Sequence, residues 1–308
     1  MEHSPVLFSE ALQALAIKTD GIYIDCTFGR GGHSRGILNR LGPSGRLLAL
    51  DRDADAIQSE WAREIASDKR FSLHHACFSS LQAIAEQEHV QGRVDGLLMD
   101  LGVSSPQLDT PERGFSFLYD GPLDMRMDHR SGLSAAQWLA EVDERDLVQV
   151  LFEFGEERFA RRIARAIVEQ RREQPLSTTR QLAELIVNSV PVREKHKHPA
   201  TRTFQAIRIA VNRELEELKS GLEQAVDVLK PGGRLVVISF HSLEDRIAKR
   251  FIRAESGAKY DPGRLPIMES EIKKGILRKV GKAIKAGVDE VAKNPRSRSA
   301  IMRVAERL

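Results

Sequence analysis

Three aspartates in the first third of the chain each close a short apolar run. Asp25 follows Ile22-Tyr23-Ile24 and leads into Cys26-Thr27-Phe28-Gly29-Arg30-Gly31-Gly32-His33. Asp51 follows Leu47-Leu48-Ala49-Leu50, and Asp100 follows Leu97-Leu98-Met99. A glycine-rich loop lets a backbone approach a nucleoside closely, and an acid at the next strand tip accepts hydrogen bonds from ribose hydroxyls. The second acid lies about 20 residues past the loop, the separation that an adenosine site requires. The ligand is not a dinucleotide by the usual fingerprint, because Ser34 stands where its third glycine belongs. Asp25 would repel a pyrophosphate and suits a cationic amine. Both features point to S-adenosylmethionine, whose methionine end carries an ammonium group. A strand, turn and helix with no ligand is the plainer alternative.

Further groups should gather at the same end of such a sheet, where ligands bind in open α/β folds. Phe78 could wall adenine or belong to the core. Gln107 could touch the ligand or only satisfy its own loop. His241 closes a fifth apolar run, and a lone histidine there more often has a structural task. The segment from Asp100 to Gln107 resembles the active-site motif of amino-group methyltransferases, in which Asp, Asn or Ser precedes Pro-Pro and an aromatic residue. Here Ser105-Pro106 is followed by Gln107, so the second proline and the aromatic are missing. Such a site suits an exocyclic amine, whose lone pair is delocalised into its ring. An acceptor beside the N–H localises that pair, and positioning supplies much of the rest.

The elements needed to position these residues alternate along the chain. Strands are expected at 22–26, 46–51, 70–76 and 94–101, with helices over Ala54–Ile65 and Ser79–Glu88 between them. This βαβα pattern predicts an α/β fold, a doubly wound and mostly parallel Rossmann-like sheet. From Pro106 to Lys197 the periodicity is helical. Arg158, Arg161, Arg165 and Arg172 share one helix face, opposite Phe159, Ile163, Ala166 and Ile167. A long helix carries Phe204, Ile207, Val211, Leu215, Leu218 and Leu222. Lys230-Pro231-Gly232-Gly233 reads as a helix stop and turn before the buried strand Leu235–Phe240. Residues 300–305 are expected as a final edge strand, and 253–298 are poorly specified. The predicted domains are a discontinuous sheet domain, 1–105 with 201–308, and an inserted helical domain, 106–200, which the family resemblance set out below implies are a methyltransferase domain and a substrate-recognition domain.

At 308 residues and 41% hydrophobic content, the chain can bury a core. It shows no apolar run of the ~20 residues that span a bilayer, and no signal peptide at its start. Two cysteines, Cys26 and Cys77, suit a reducing cytoplasm rather than a disulfide scaffold. No metal site is expected, since His196 and His198 flank Lys197 in a charged loop. The net charge of +3 hides an asymmetry: residues 246–308 hold 17 Lys/Arg and 7 Asp/Glu, a net of +10, against −7 for the rest. A basic segment on an acidic body suggests a polyanion partner, although solvated basic surfaces are common.

The loop Asp25–Ser34 is similar to the cofactor loop of the MraW family of bacterial small-subunit ribosomal RNA cytosine-N4-methyltransferases. So are Asp100–Leu108, Arg113–Ser116, Gly121–Met127, Gly155–Arg158, His198–Gln205 and Ser239–Arg246, in order over nearly the whole chain. The resemblance implies methyl transfer from S-adenosylmethionine to the N4 amine of a cytidine in the decoding region of small-subunit (16S) rRNA. It implies cofactor contacts at Gly31, Gly32, His33, Asp51, Phe78, Asp100 and Gln107. Asp100 and His241 are the candidate catalytic residues, and no firm catalytic base follows. Cys26 stands where many relatives have glycine. The implied partner is small-subunit rRNA within an assembled or nearly assembled subunit, with no membrane involved; a homodimer is left open. Two other readings compete: a nicotinamide-dependent oxidoreductase, disfavoured by Asp25 and the missing glycine, and a non-catalytic RNA-binding protein with a relic pocket.

Overall fold

The computed structural model describes residues 5–191, 198–258 and 275–308. Within them the chain forms two compact units, 1–102 with 215–308 and 103–214. His196, Lys197 and part of the 253–298 segment lie outside the described residues.

The first unit is built on a seven-stranded sheet. Its strands are β1 (Ile22–Asp25), β2 (Arg46–Asp51), β3 (Phe71–His75), β4 (Val94–Asp100), β5 (Leu229–Ser239), β6 (Leu277–Lys285) and β7 (Ile301–Arg307). Their order is β3-β2-β1-β4-β5-β7-β6. The first five run parallel, and β7 is antiparallel to both β5 and β6. The central parallel strands β1, β2 and β4 are mostly apolar and buried because both faces are covered. Ile24, Leu48, Leu50, Leu97, Met99, Leu235 and Val237 pack into the core on one face. Tyr23, Leu47, Leu98, Val236 and Ile238 pack into the core on the other, with the helices Phe8–Ala14 and Gly32–Leu38. The doubly wound α/β fold expected from the sequence is the fold observed. The strand order reverses between β1 and β4, and such a switch point is where these sheets bind ligands.

Four details differ from the sequence reading. Residues 301–307 form β7, but as an inner strand; the edge is β6, whose exposed, lysine-rich sequence hides it from a periodicity argument. Lys230–Gly233 does not turn the chain away from the sheet. Leu229 pairs with Val94 and Arg234 with Gly96, so the four residues between them bulge from β5. The helix expected over Ala54–Ile65 is two short helices, Ala54–Ile57 and Glu60–Ile65, because Ser59 caps the second through the Ala62 amide. The long helix through Phe204 and Leu222 breaks at Arg213, which has φ 50° and separates Ala200–Asn212 from Glu214–Val228. The apolar spacing runs on across this break, so it leaves no trace in the sequence. The buried Asn212 side chain fixes it, donating to the Met125 carbonyl at 2.7 Å and accepting from the Met127 amide at 2.7 Å.

The second unit contains the helices Ala135–Glu141, Glu144–Gly155, Ala160–Glu173, Thr179–Ser189 and Ala200–Asn212. Leu147, Leu151, Ile163, Ile167, Leu182, Ile186, Phe204 and Ile207 form its core. Residues 201–214, placed with the sheet domain by the sequence reading, therefore pack with this unit. Arg158, Arg161, Arg165 and Arg172 are all exposed, and Arg165 pairs with Glu169 at 3.1 Å. Among the described residues, no helix is long and apolar enough to cross a membrane.

At the far end of the sheet from the strand-tip acids, Asp95 ties three segments together. Its buried carboxylate accepts from the Ile22 amide at 3.1 Å, Lys18 Nζ at 3.2 Å and Lys230 Nζ at 2.6 Å. Burial pushes its pKa up, but Lys230, the Ile22 amide and Lys18 outweigh that and hold it below the usual carboxylate range. Asp95→Ala leaves the lysines able to reach water, so the cost lies chiefly in the orphaned Ile22 amide, about 2 kcal/mol. A depressed carboxylate stabilises the fold above the unfolded pKa of about 3.9 and ceases to do so as pH falls through its folded value. Urea unfolding should therefore show the 2 kcal/mol gap at pH 7, narrowing below about pH 4.

Candidate functional site

The strand tips of the first unit bring together most of the residues singled out by the sequence. β1 ends in Asp25, and the following loop is stitched to both neighbouring strands. The Cys26 amide donates to the Leu98 carbonyl of β4, and the Phe28 amide to the Leu50 carbonyl of β2, each at 2.9 Å. Thr27 Oγ1 accepts from the Asp100 amide at 2.8 Å, tying the loop to the end of β4. Thr27 was not anticipated; its position two residues after a strand-end acid is the only hint the sequence offers.

Asp25 is turned into the protein. It is fully buried and accepts from Ser34 Oγ at 2.7 Å and from the amide and hydroxyl of Thr27 at 3.1 and 3.3 Å. Burial raises its pKa, opposed by His33 and by the Ser34 and Thr27 hydrogen bonds. Asp25 organises the loop from inside, so the argument that it greets a cationic amine fails on its burial. Ser34, read as a missing glycine, is the residue that holds it.

Two loop glycines are packed tightly by side chains of the protein itself. Gly31 has φ 71°, and a Cβ there would lie 1.9 Å from Trp61 Cε3. A Cβ on Gly32 would lie 2.3 Å from Pro5 Cγ. At these two positions the close approach is by the protein's own side chains. Trp61 stacks on Phe28 at 5.5 Å and meets the edge of Phe71 at 6.4 Å, while the Arg35 guanidinium lies 5.1 Å above the indole. Trp61 was missed by the sequence reading, although Ala54, Ile57, Trp61 and Ile65 form an apolar stripe that could have drawn attention to it.

Asp51 accepts from the Gly29 amide at 2.7 Å on one oxygen and from the Asp53 amide at 2.8 Å on the other. Each carboxylate oxygen has a second acceptor direction, so two hydrogen bonds remain to be made. Burial pushes the Asp51 pKa up to about 6, against the pull of the two amides. The Asp100 side chain is 23% exposed, and its Oδ2 lies 3.5 Å from Nε2 of the buried His33. Asp100 Oδ1 is buried and has no hydrogen-bond partner among the described residues. Burial pushes His33 down, but Asp100, with Asp25 behind it, outweighs that and raises its pKa. Unsatisfied buried acceptors of this kind mark a place where a donor belongs.

Phe78 begins a single turn after β3, half-buried against the core and packed on Gly221, where a Cβ would lie 2.7 Å from its own. Gln107 belongs to the second unit. Its side-chain carbonyl accepts from the Ser104 amide at 2.9 Å, closing a capping box on the helix Ser105–Asp109. His241 caps the helix Ser242–Arg253, with Nε2 3.1 Å from Glu244 Oε1. Glu244 in turn accepts from the Phe240 amide at 2.8 Å. The structure thus gives Gln107 and His241 capping tasks that account for their positions.

The MraW methylase family matches residues 1–308, the whole chain. The chain belongs to the MraW methylase family. A ribosomal RNA small subunit methyltransferase H from Thioalkalivibrio sulfidiphilus is 60% identical over 306 residues, covering 99% of this chain and 97% of that one. Proteins of the same name from Pseudoalteromonas atlantica and Methylococcus capsulatus are 56% and 58% identical, covering 99% and 98% of this chain and 98% and 99% of theirs. The family membership inferred from motifs spread along the sequence is the membership found.

Proposed function

We propose that the protein methylates small-subunit ribosomal RNA, taking the methyl group from S-adenosylmethionine and placing it on N4 of a cytidine. The observation that carries the reading is the pair of acids at the β1/β4 switch point and its neighbour strand: Asp51 with two acceptor directions left, and Asp100 with an unpartnered buried oxygen. These fit a nucleoside cofactor on one side and an amine on the other. The naming of relatives along almost the full length as small-subunit rRNA methyltransferases supports the substrate.

Bound S-adenosylmethionine supplies an electrophilic methyl on a sulfonium. Asp51 accepts hydrogen bonds from the ribose hydroxyls, and Phe78 offers an apolar wall to the adenine. The loop Gly29–His33 encloses the cofactor, its shape set by Asp25 and Trp61. Asp100 Oδ1 accepts a hydrogen bond from the N4–H, drawing the nitrogen lone pair out of conjugation with the ring. Because Asp100 is anchored through its amide to Thr27 and faced by His33, its carboxylate is fixed before substrate arrives, the condition under which an electrostatic contact accelerates a reaction. The proton released on methylation leaves to water. The inserted helical unit and the basic segments recognise the RNA, since one cytidine presents too little surface to select a single site. His241 is left to its helix cap.

The decisive test is methyl transfer from labelled S-adenosylmethionine to naked small-subunit rRNA, assembled small subunits and whole ribosomes, with the product nucleoside identified by mass. N4-methylcytidine is expected; methyl on any other atom removes the N4 assignment, and no transfer to any of the three removes the function.

The ribose assignment makes a separate prediction. The ionised Asp51 is the acceptor, so S-adenosylmethionine affinity measured by calorimetry should be flat above pH 7 and weaken by up to tenfold per unit below about pH 6. Asp51→Ala should weaken binding by about 1.5–3 kcal/mol and abolish this pH dependence. A wild-type profile flat down to pH 5 would remove Asp51 from the ribose site.

A further inference from the structure

The basic charge of the C-terminal region has a definite place in the sheet. β6 is the edge strand, and its outer side pairs with nothing among the described residues. Its sequence, Leu277-Arg278-Lys279-Val280-Gly281-Lys282-Ala283-Ile284-Lys285, is exposed at seven of nine positions. The register gives this edge a direction. Asp100 pairs with Ile238, Ile238 with Met302, and Met302 with Ile284. These four residues form one row across β4, β5, β7 and β6, and Lys285 stands one residue beyond it on the side of the strand tips. Three strand spacings separate Asp100 from this edge, roughly 15 Å. The connection from β6 to β7 lies at the same end and adds Lys293 and Arg298, both exposed.

Among the described residues, nearby carboxylates do not neutralise this ledge. Glu306 is used by Arg234 and Arg278, and Asp245 by Arg303. Within the connection, Glu290 turns inward to accept from the Leu7 amide at 2.8 Å, leaving Asp289 as its outward acid. Lys282, Lys285, Lys293 and Arg298 make no ion pair among the described residues. The strand itself is a poor template for another strand. Between Val280 and Ile284 the register slips against β7, with Gly281 at φ 66°, and the edge carries lysines. Bulges and edge lysines of this kind discourage strand addition. The ledge is therefore built to remain unpaired and positive, beside the end of the sheet where Asp100 lies.

We propose that the tip of β6 and the β6–β7 connection form an RNA-binding ledge, on which Lys282, Lys285, Lys293 and Arg298 hold the phosphates of nucleotides flanking the target. This inference rests on the rRNA methylation reading and specifies where the RNA runs on the sheet unit. Phosphate contacts fix register without reading sequence and release counterions, so they leave a salt signature.

The test is the full-length Lys282→Ala/Lys285→Ala/Arg298→Ala variant, with Lys282→Arg/Lys285→Arg as the charge-conserving control. RNA affinity is measured against salt for deproteinised small-subunit rRNA and for assembled small subunits, beside S-adenosylmethionine affinity and thermal unfolding. The log–log salt slope of the alanine variant should fall by up to about 2 for three lost contacts to single-stranded RNA. KM for the RNA substrate should rise at least several-fold, while kcat, cofactor affinity and the unfolding temperature stay at wild-type values and the arginine variant behaves as wild type. An alanine variant with the wild-type slope and KM overturns the ledge. A loss confined to assembled subunits, with naked rRNA bound normally, points to an acidic protein and overturns the RNA assignment. If the wild-type protein methylates none of the RNA substrates, the rRNA reading itself falls; if it methylates them and the variant does equally well, only the ledge falls.

Discussion

Gly31→Ala should abolish detectable S-adenosylmethionine binding and bring turnover to background. Two costs add at this position. The backbone sits at φ 71°, where a side chain costs roughly 1–2 kcal/mol. The new methyl would also lie 1.9 Å from an indole carbon. The ring has little freedom to retreat, since it is stacked on Phe28, meets Phe71 edge-on and lies beneath Arg35. Overpacking of this kind costs about 1–3 kcal/mol more. Either Trp61 is expelled or the loop moves, and in both cases the Gly29 amide loses its alignment with Asp51. Far-ultraviolet circular dichroism should be retained, because the strain is local, while calorimetry with S-adenosylmethionine should show no heat. Trp61→Ala introduced into the Gly31→Ala background should restore part of the binding. Strictly additive losses in this double-mutant cycle would mean that the two residues do not act through one contact. Gly31→Ala binding at wild-type affinity would remove the loop from the cofactor site altogether.

Asp100→Asn should lower turnover by about two orders of magnitude at saturating cofactor and RNA, the scale of one preorganised electrostatic contact in an active site. Asparagine preserves shape and one acceptor but removes the charge. The backbone bond from the Asp100 amide to Thr27 survives, so unfolding should change little. A second readout separates this from general damage. Asp100 is the group that most strongly lifts the His33 pKa against burial, so losing its charge should move the His33 titration, followed by NMR, to lower pH. Wild-type turnover with a shifted histidine would show that the pair exists and that Asp100 has no part in the chemical step.

The centre of the sheet was legible because β1, β2 and β4 are short, mostly apolar runs with acids at their ends, and ligand sites in such sheets lie beyond those ends. Asp51, Asp100 and the glycine loop follow from that rule alone. What the sequence concealed are features without a periodic signature. The break at Arg213 interrupts a helix whose apolar spacing does not change, because Asn212 fixes it through contacts with Met125 and Met127. β6 is a strand whose outward residues are lysines, so it reads as loop. Asp25 reads by residue type as an acid facing a cationic amine, whereas burial and its bonds to Ser34 and Thr27 place it inside the loop, and the packing of Trp61 on Gly31 and Pro5 on Gly32 has no signature in the sequence. Residue type announces that a loop is special; only packing shows what each residue is near.

The insertion between β4 and β5 also sets a timetable for synthesis. β4 is buried at every residue but its last and has β1 on one side, but its other partner is made only after the helical unit, so that edge is without its neighbour for roughly 6–25 s at ordinary translation rates. The helical unit, with its own core and mostly local contacts, is complete before the sheet is. A nascent chain stopped after Glu214 would carry the whole helical unit while one edge of β4 is still without its partner. The last strands to leave the ribosome are therefore the ones that close the sheet.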